Sequence, residues 1–192
     1  MRKPFAITLD VGSSLANLTG SWRTQRPVYV DRLPPCNATC PAGENIQAWL
    51  ALAQSGDFEG AWRELVRNNP MPAIHGRVCY HPCETACSRG KVDDPVAIRG
   101  LKRLAMDWER EHIPDPEPPP AKHDYGEKVA VIGSGPAGLT CAFDLAQEGY
   151  RVTVFEKHDK LGGMLAVGLP DYRCPPDIVN RDLHYIRKAG VE

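Results

Sequence analysis

The chain has 192 residues with 23 basic and 24 acidic side chains, and its formal charge of -1 gives no electrostatic case for a nucleic acid or an anionic membrane surface as partner. That length holds one or two small domains, not a large multi-cofactor enzyme. No apolar run approaches the length of a bilayer span, and the opening MRKPFAITLDVG, broken by Asp10, lacks a small-residue cleavage pattern. The expected location is the cytoplasm, where thiols stay reduced.

Residues 1–35 carry scattered turn signals (Gly12, Gly20, Pro27, Pro34, Pro35) and short apolar patches, which predicts an irregular arm whose SWRTQRPVY stretch clamps it to the next domain. Cys36 and Cys40 follow in PPCNATCP. From Glu44 to Asn68 the pattern is helical, with Ile46, Trp49, Leu50 and Ala53 on one stripe and Phe58, Trp62, Leu65 and Val66 on another. Gly56 and Asp57 separate them, so the stretch predicts a helical hairpin that folds back and brings Cys36 and Cys40 beside Cys79.

The stretch GRVCYHPCETAC sets Cys79, Cys83 and Cys87 at intervals of four, and Pro82 predicts a short helix carrying Cys83 and Cys87 about 6 Å apart along its axis. Five of the seven cysteines thus form Cx3CP, a long spacer and Cx3Cx3C. Clustered thiolates in a chain without an export signal point to a metal or an iron–sulfur cluster before disulfides. Structural zinc favours paired Cx2C knuckles, whereas iron–sulfur clusters accept varied spacings with a proline directly after one cysteine. Spacing favours the cluster and leaves zinc as the alternative.

Val96, Ile98, Leu101, Leu104, Ala105 and Trp108 predict a further amphipathic helix ending near His112, so residues 36–113 read as a helical domain around the cysteines. The run PDPEPPP cannot continue a helix and opens a linker over 114–126. Beyond it, over 127–192, the composition changes. Lys128 to Ile132 predicts a buried strand, Gly133-Ser-Gly135-Pro-Ala-Gly138 a tight turn, and then come a helix through Gln147 and a second strand, Arg151 to Phe155, closing on Glu156.

That order is a dinucleotide-binding β-α-β unit. Gly133 permits the turn, Gly135 lets the backbone approach a pyrophosphate, and Gly138 lets the helix lie close on the strand. Glu156 is placed to accept hydrogen bonds from a ribose diol. Gly162-Gly163 is either an ordinary loop or a second approach of backbone amides to the cofactor. Asp177 to Ala189 predicts a helix capped by Gly190, and Val191 and Glu192 the opening of a third strand.

The stretches CNATCPAGENIQAWL, GRVCYHPCETACSRG, VAVIGSGPAGLTCAFDLAQEGYRVTVFEK and LGGMLAVGLPDYR resemble the N-terminal part of the small (beta) subunit of NADPH-dependent glutamate synthase and its relatives. Those relatives include the N-terminal region of dihydropyrimidine dehydrogenase and the flavin subunits of ferredoxin:NADP oxidoreductases. The resemblance implies an α-helical ferredoxin-like iron–sulfur domain followed by an incomplete α/β Rossmann-like FAD-binding domain. By position it implies that Gly133, Gly135 and Gly138, with Pro136 and Ala137 between them, hold the FAD pyrophosphate. Glu156 would meet the adenosine ribose, Gly162, Gly163 and Met164 the flavin side, and Lys157, Leu165 and Arg173 would also reach FAD.

Two departures qualify this likeness. Relatives with two clusters carry an additional CxxC upstream of Cys36, and here those positions fall near Val28 and Asp31. A Gln or Glu that completes one site in relatives corresponds to about Lys102, which has no acceptor. The expectation is therefore one 4Fe-4S cluster drawn from Cys36, Cys40, Cys79, Cys83 and Cys87, with Cys40, Cys79 and Cys83 at its centre. Cys87 or Cys36 supplies the fourth sulfur, unless a second cluster is shared with a partner chain. The other departure is the single glycine fingerprint, so NAD(P)H would bind outside this chain, and the sequence is expected to be a fragment or a subunit.

The implied function is electron transfer between NAD(P)H, FAD and the cluster, to or from a partner oxidoreductase subunit or ferredoxin in a hetero-oligomer. The rival is a docking or scaffold subunit with a structural metal. Among the remaining residues, Cys141 reads as a buried small apolar side chain, Cys174 as exposed and His81 as a solvated loop residue beside the ligands. His75, His112, His123, His158 and His184 share no metal-binding spacing, and no nucleophile with an adjacent base is evident.

Overall fold

The computed structural model describes residues 32–192, so the arm expected over 1–35 lies outside the described residues except at its end. The first half is helical: α1 (Pro35–Thr39), α2 (Ile46–Gln54), α3 (Phe58–Val66), α4 (Pro72–Val78), α5 (Pro82–Thr85), a 3-10 turn (Ser88–Lys91) and α6 (Ile98–His112). Proline opens α1, α4 and α5, where its missing N–H costs nothing. Asn45 caps α2 by accepting from the Ala48 amide, and Asp57 caps α3 by accepting from the Gly60 amide at 2.8 Å. The hairpin expected over 44–68 is thus formed by α2 and α3, with Trp49, Trp62 and Leu65 buried between them and their neighbours.

Two details of the helical half differ from expectation. The helix opened by Pro82 closes at Thr85, and Cys87 lies beyond it in extended backbone at the head of the 3-10 turn. The buried face of α6 is Ile98, Lys102, Ala105, Met106 and Glu109, whereas Leu101 and Leu104 face solvent. Lys102 and Glu109 take inward positions because each meets an opposite charge, Glu44 and Arg181 respectively. Helix α4 brings the segment carrying Cys79 against α6.

The second half holds β1 (Lys128–Ile132), α7 (Pro136–Glu148), β2 (Arg151–Phe155), α8 (Met164–Val167) and α9 (Pro176–Lys188). The strands are parallel, with Val129 opposite Val152 and Val131 opposite Val154. The Glu192 amide donates to Val152 O at 3.0 Å and the Val154 amide to Glu192 O, which continues the ladder on the free side of β2. The expected burial of β1 is not met: Val129 and Val131 are half-buried, and Ile132 is 82% exposed. Its alternation follows from α7 covering one face of the sheet while the other lies open.

Leu33–Glu192 share one core. Tyr185 on α9 joins its parts, meeting Trp62 edge-on at 6.0 Å and stacking on Phe143 at 5.8 Å. Asp182 accepts from the Ile74 amide of α4 at 2.9 Å, and Arg181 reaches Glu109 at 3.0 Å. The proline-rich stretch is tied down as well: Arg181 donates to Pro114 O, Lys188 pairs with Asp115, and the Lys122 amide donates to Gln147 O.

Candidate functional site

The cysteines sit at helix ends, where the chain turns and sulfurs can leave the surface of a helix. Cys40 ends α1 and Cys79 ends α4, both in extended backbone. Asn37 fixes α1 by donating to Asn45 Oδ1 at 2.9 Å and accepting from the Gln47 amide at 3.2 Å. Between Cys79 and Cys83, His81 takes a left-handed φ of 48°, the one such non-glycine residue among those described. That conformation is costly for a side chain with a Cβ. It turns the His81 amide back to donate to Cys79 Sγ at 3.3 Å, and Pro82 and Cys83 then open α5.

Cys83 is buried, and burial pushes its thiol up to about 11; the Lys102 cation pulls the other way, while the charges of Cys40, Glu84 and Cys79 push it further up. Cys40 and Cys79 thus both lie near Cys83. Cys87 is held low because its sulfur accepts from the Val96 amide first, with Arg89 and Gly90 adding to it. Cys36 is half-buried and its thiol faces Asn37 Oδ1 at 3.6 Å.

Among the described residues, no three Cys, His, Asp or Glu side chains close tightly enough to hold a single metal ion. The donor set is instead thiols at the ends of separate short helices, one of them, Cys79, receiving a backbone N–H group. A 4Fe-4S cluster uses such a set, since it is wider than one ion and its potential is set partly by hydrogen bonds to its sulfurs.

Beneath the cysteines lies a polar network that sequence reasoning missed. Lys102 Nζ is 2.6 Å from Glu44 Oε1, which also accepts from Asn69 Nδ2 at 2.6 Å. Asn69 Oδ1 accepts from the Met71 amide at 3.1 Å and meets His75 Nδ1 at 2.8 Å. Burial, first, and the Lys102 charge lower the His75 pKa. Glu44 Oε2 is buried with no partner among the described residues. The lone signal in the sequence was Lys102 at a helical spacing that suits a buried position. Glu44, Asn69 and His75 gave none, because their meeting depends on contacts distant along the chain.

A cleft of about 940 Å³ joins this region to the nucleotide-binding motif. Cys40 and Cys79 line it together with Glu44, His75 and Lys102, and across it stand Pro136, Ala137, Thr140 and Cys141 of α7. Cys141 is exposed in that position rather than buried, since it faces the opening and not β1. Cys174 is buried at 2% exposure, not exposed, because the turn before α9 folds it onto the core.

At the head of α7, Gly133 has φ of 95°, as a tight turn after a strand requires. A Cβ on Gly138 would lie 2.1 Å from Gly133 O, so only glycine allows the helix this close to the turn. A Cβ on Gly135 would meet no protein atom within 4 Å, and the space over the turn is open to a ligand. Pro136 and Ala137 form the first turn of α7.

Glu156 accepts from the Ser134 amide at 2.9 Å, from Ser134 Oγ at 2.6 Å and from the His158 amide at 2.9 Å. The Ser134 hydroxyl first, then the amides, hold its carboxyl down at about 2. It is an ionised acceptor tied to the middle of the glycine turn. Lys157 beside it is exposed. Gly162 donates to Ser134 O at 3.0 Å, and a Cβ on Gly163 would lie 3.1 Å from Gly135 Cα, so the Gly-Gly pair is packed on the fingerprint. Met164 is exposed at the head of α8, Leu165 turns into the core, and Arg173 is exposed beyond α8.

Residues 23–113 match the family model described as dihydropyrimidine dehydrogenase domain II, 4Fe-4S cluster, and residues 131–181 match an NAD(P)-binding Rossmann-like domain. The chain is 42% identical over 187 residues to the NADPH-Fe(3+) oxidoreductase subunit beta of Geobacter sulfurreducens, covering 93% of this chain and 27% of that one. It is 41% identical over 177 residues to the NADP(+)-dependent formate dehydrogenase subunit beta of Moorella thermoacetica, with 82% and 25% covered. To the glutamate synthase [NADPH] small chain of Mycobacterium tuberculosis it is 38% identical over 162 residues, with 83% and 33% covered. The chain thus spans between a quarter and a third of the length of these relatives. The cysteine-bearing helical half and the glycine-turn nucleotide fold are thus each matched by a family model, and along most of its length the chain is similar to beta or small subunits of oxidoreductases.

Proposed function

We propose that this chain is the electron-transfer part of an NADPH-dependent oxidoreductase. In it Cys40, Cys79 and Cys83, with Cys36 or Cys87, hold a 4Fe-4S cluster, and the turn at Gly133, Gly135 and Gly138 holds FAD. FAD supplies the needed conversion when bound, because nicotinamide exchanges two electrons together and an iron–sulfur centre one. The carrying observation is the shared cleft: Cys40 and Cys79 line one side and the first turns of α7 the other.

Each residue has a stated task in this reading. The open space over Gly135 admits a pyrophosphate to the amides at the head of α7, where the helix dipole favours negative charge. Glu156 orients the turn through Ser134 and keeps lone pairs for a ribose diol. Pro136 and Ala137 open α7 and Gly162 and Gly163 pack on the turn, and in this reading Lys157, Met164 and Arg173 also reach the FAD while buried Leu165 anchors α8. The functional division follows 36–113 for the cluster, 114–126 for the connection and 127–192 for the flavin. NADPH binds a domain outside this chain, and a partner subunit or ferredoxin exchanges the electrons in the cytoplasm. Among the described residues no helix is long and apolar enough to cross a membrane.

The test is anaerobic purification of the full-length protein, followed by assay of iron, acid-labile sulfide and flavin released on denaturation. Iron and sulfide in equal amounts together with FAD support the reading. Zinc without sulfide, or no flavin, contradicts it.

A further inference from the structure

Lys102 is an anomaly that neither the fold nor the electron-transfer reading absorbs. A charged side chain on the inner face of α6 needs compensation, and one buried carboxylate supplies it, Glu44 at 2.6 Å. The pair is not a closed unit. Lys102 makes one hydrogen bond among the described residues, which leaves two ammonium N–H donors, and Glu44 Oε2 is buried without a partner. Both residues line the cleft that Cys40 and Cys79 also line.

We propose that Lys102 sets the reduction potential of the group held by Cys40, Cys79 and Cys83, favouring its reduced state, and that Glu44 opposes it. The proposal rests on the cluster reading above. One-electron reduction adds one negative charge to the cluster and its thiolates and forms or breaks no bond; in the test the electron comes from dithionite through mediators. A cation fixed in a region of low dielectric lowers the energy of that added charge, and a neighbouring anion raises it. Lys102 is thus a positioning charge, not a ligand, at the place where the family resemblance implies an acceptor.

The experiment is an anaerobic redox titration of the full-length holoprotein, followed by absorbance and low-temperature EPR, alongside iron and sulfide content. Lys102→Met is expected to weaken reduction about tenfold, a fall in midpoint of about 59 mV for one electron. Glu44→Gln is expected to move the midpoint the opposite way by a similar factor. The double variant, which removes both charges, returns near wild type, and Lys102→Arg leaves the midpoint in place.

Opposite shifts from the two single variants are a signature that loosened packing does not produce. If Lys102→Met loses its cluster, Glu44→Gln alone still decides, because its midpoint must rise. Shifts of the same sign, or a Glu44→Gln midpoint unchanged with the cluster intact, overturn the role of Lys102. Wild-type protein devoid of iron and sulfide overturns the cluster reading instead, and the two failures are distinguishable.

Discussion

Replacing Gly135 and Gly138 separately by alanine distinguishes the residue that the ligand needs from the one that the fold needs. At Gly138 the added methyl would lie 2.1 Å from Gly133 O and 3.2 Å from Gly133 C, both backbone atoms of the tight turn, so α7 must move off β1. Overpacking of that kind costs about 1–3 kcal/mol, with the upper end expected where backbone has to yield. At Gly135 the methyl meets nothing within 4 Å, and φ of -69° suits alanine. Reduced freedom of the unfolded chain stabilises by about 0.4–1 kcal/mol, and the poorer N-cap costs a similar amount, so the net change stays within about 1 kcal/mol. The assay is urea unfolding of each variant with FAD content measured on the same samples. Gly135→Ala should keep its unfolding midpoint and lose flavin, whereas Gly138→Ala should lose stability. A Gly135→Ala protein that retains its full FAD complement refutes the placement of the pyrophosphate, and an undiminished Gly138→Ala midpoint refutes the close approach.

Asp182 is wholly buried, and burial first, then the Glu109 charge, raise its carboxyl to about 8 although the Ile74 amide and the nearby arginines pull it down. Between about pH 4 and pH 8 the unfolded chain has released this proton and the folded chain has not, so this group makes stability fall as pH rises; Asp182→Asn should flatten that part of a denaturation profile. Serine at Cys40, Cys79 or Cys83 should strip iron and sulfide from the purified protein, while Cys141→Ser should leave both at wild-type level. Brief alkylation of the native protein should label exposed Cys141, and Cys174 only after unfolding, as peptide mass mapping would show. Asn37→Ala removes two hydrogen bonds that fix α1 to the start of α2 and should cost about 1–3 kcal/mol in thermal or urea unfolding.

Local signals made much of this molecule readable. The hairpin of α2 and α3 follows from its two apolar stripes and its break at Gly56 and Asp57, and the β1-α7-β2 unit from glycine positions that the backbone requires. The inner face of α6 was not readable, because Leu101 and Leu104 fit the helical period as well as Lys102 does. What turns Lys102 inward is Glu44, a residue on another segment. The same holds for the thiols: Cys141 sits on a helix with an apolar face, yet its direction depends on the cleft, and Cys174 is covered by the packing of the turn before α9. Helix α4 is short and its periodicity spans too few residues to stand out, although Pro72 after Met71 marks its start. The exposure of β1 reflects a sheet face that no described element covers.

The central claim is that electrons pass between a flavin on the glycine turn and sulfur-bound iron across one cleft. Its most direct test is anaerobic addition of NADPH to the holoprotein together with the NADPH-binding domain placed outside this chain, with low-temperature EPR, run beside the Gly135→Ala variant. The account predicts the signal of a reduced iron–sulfur centre in wild type, and in Gly135→Ala the same signal with dithionite but none with NADPH. Reduction of both proteins alike by NADPH, or no signal from dithionite in either, would contradict it.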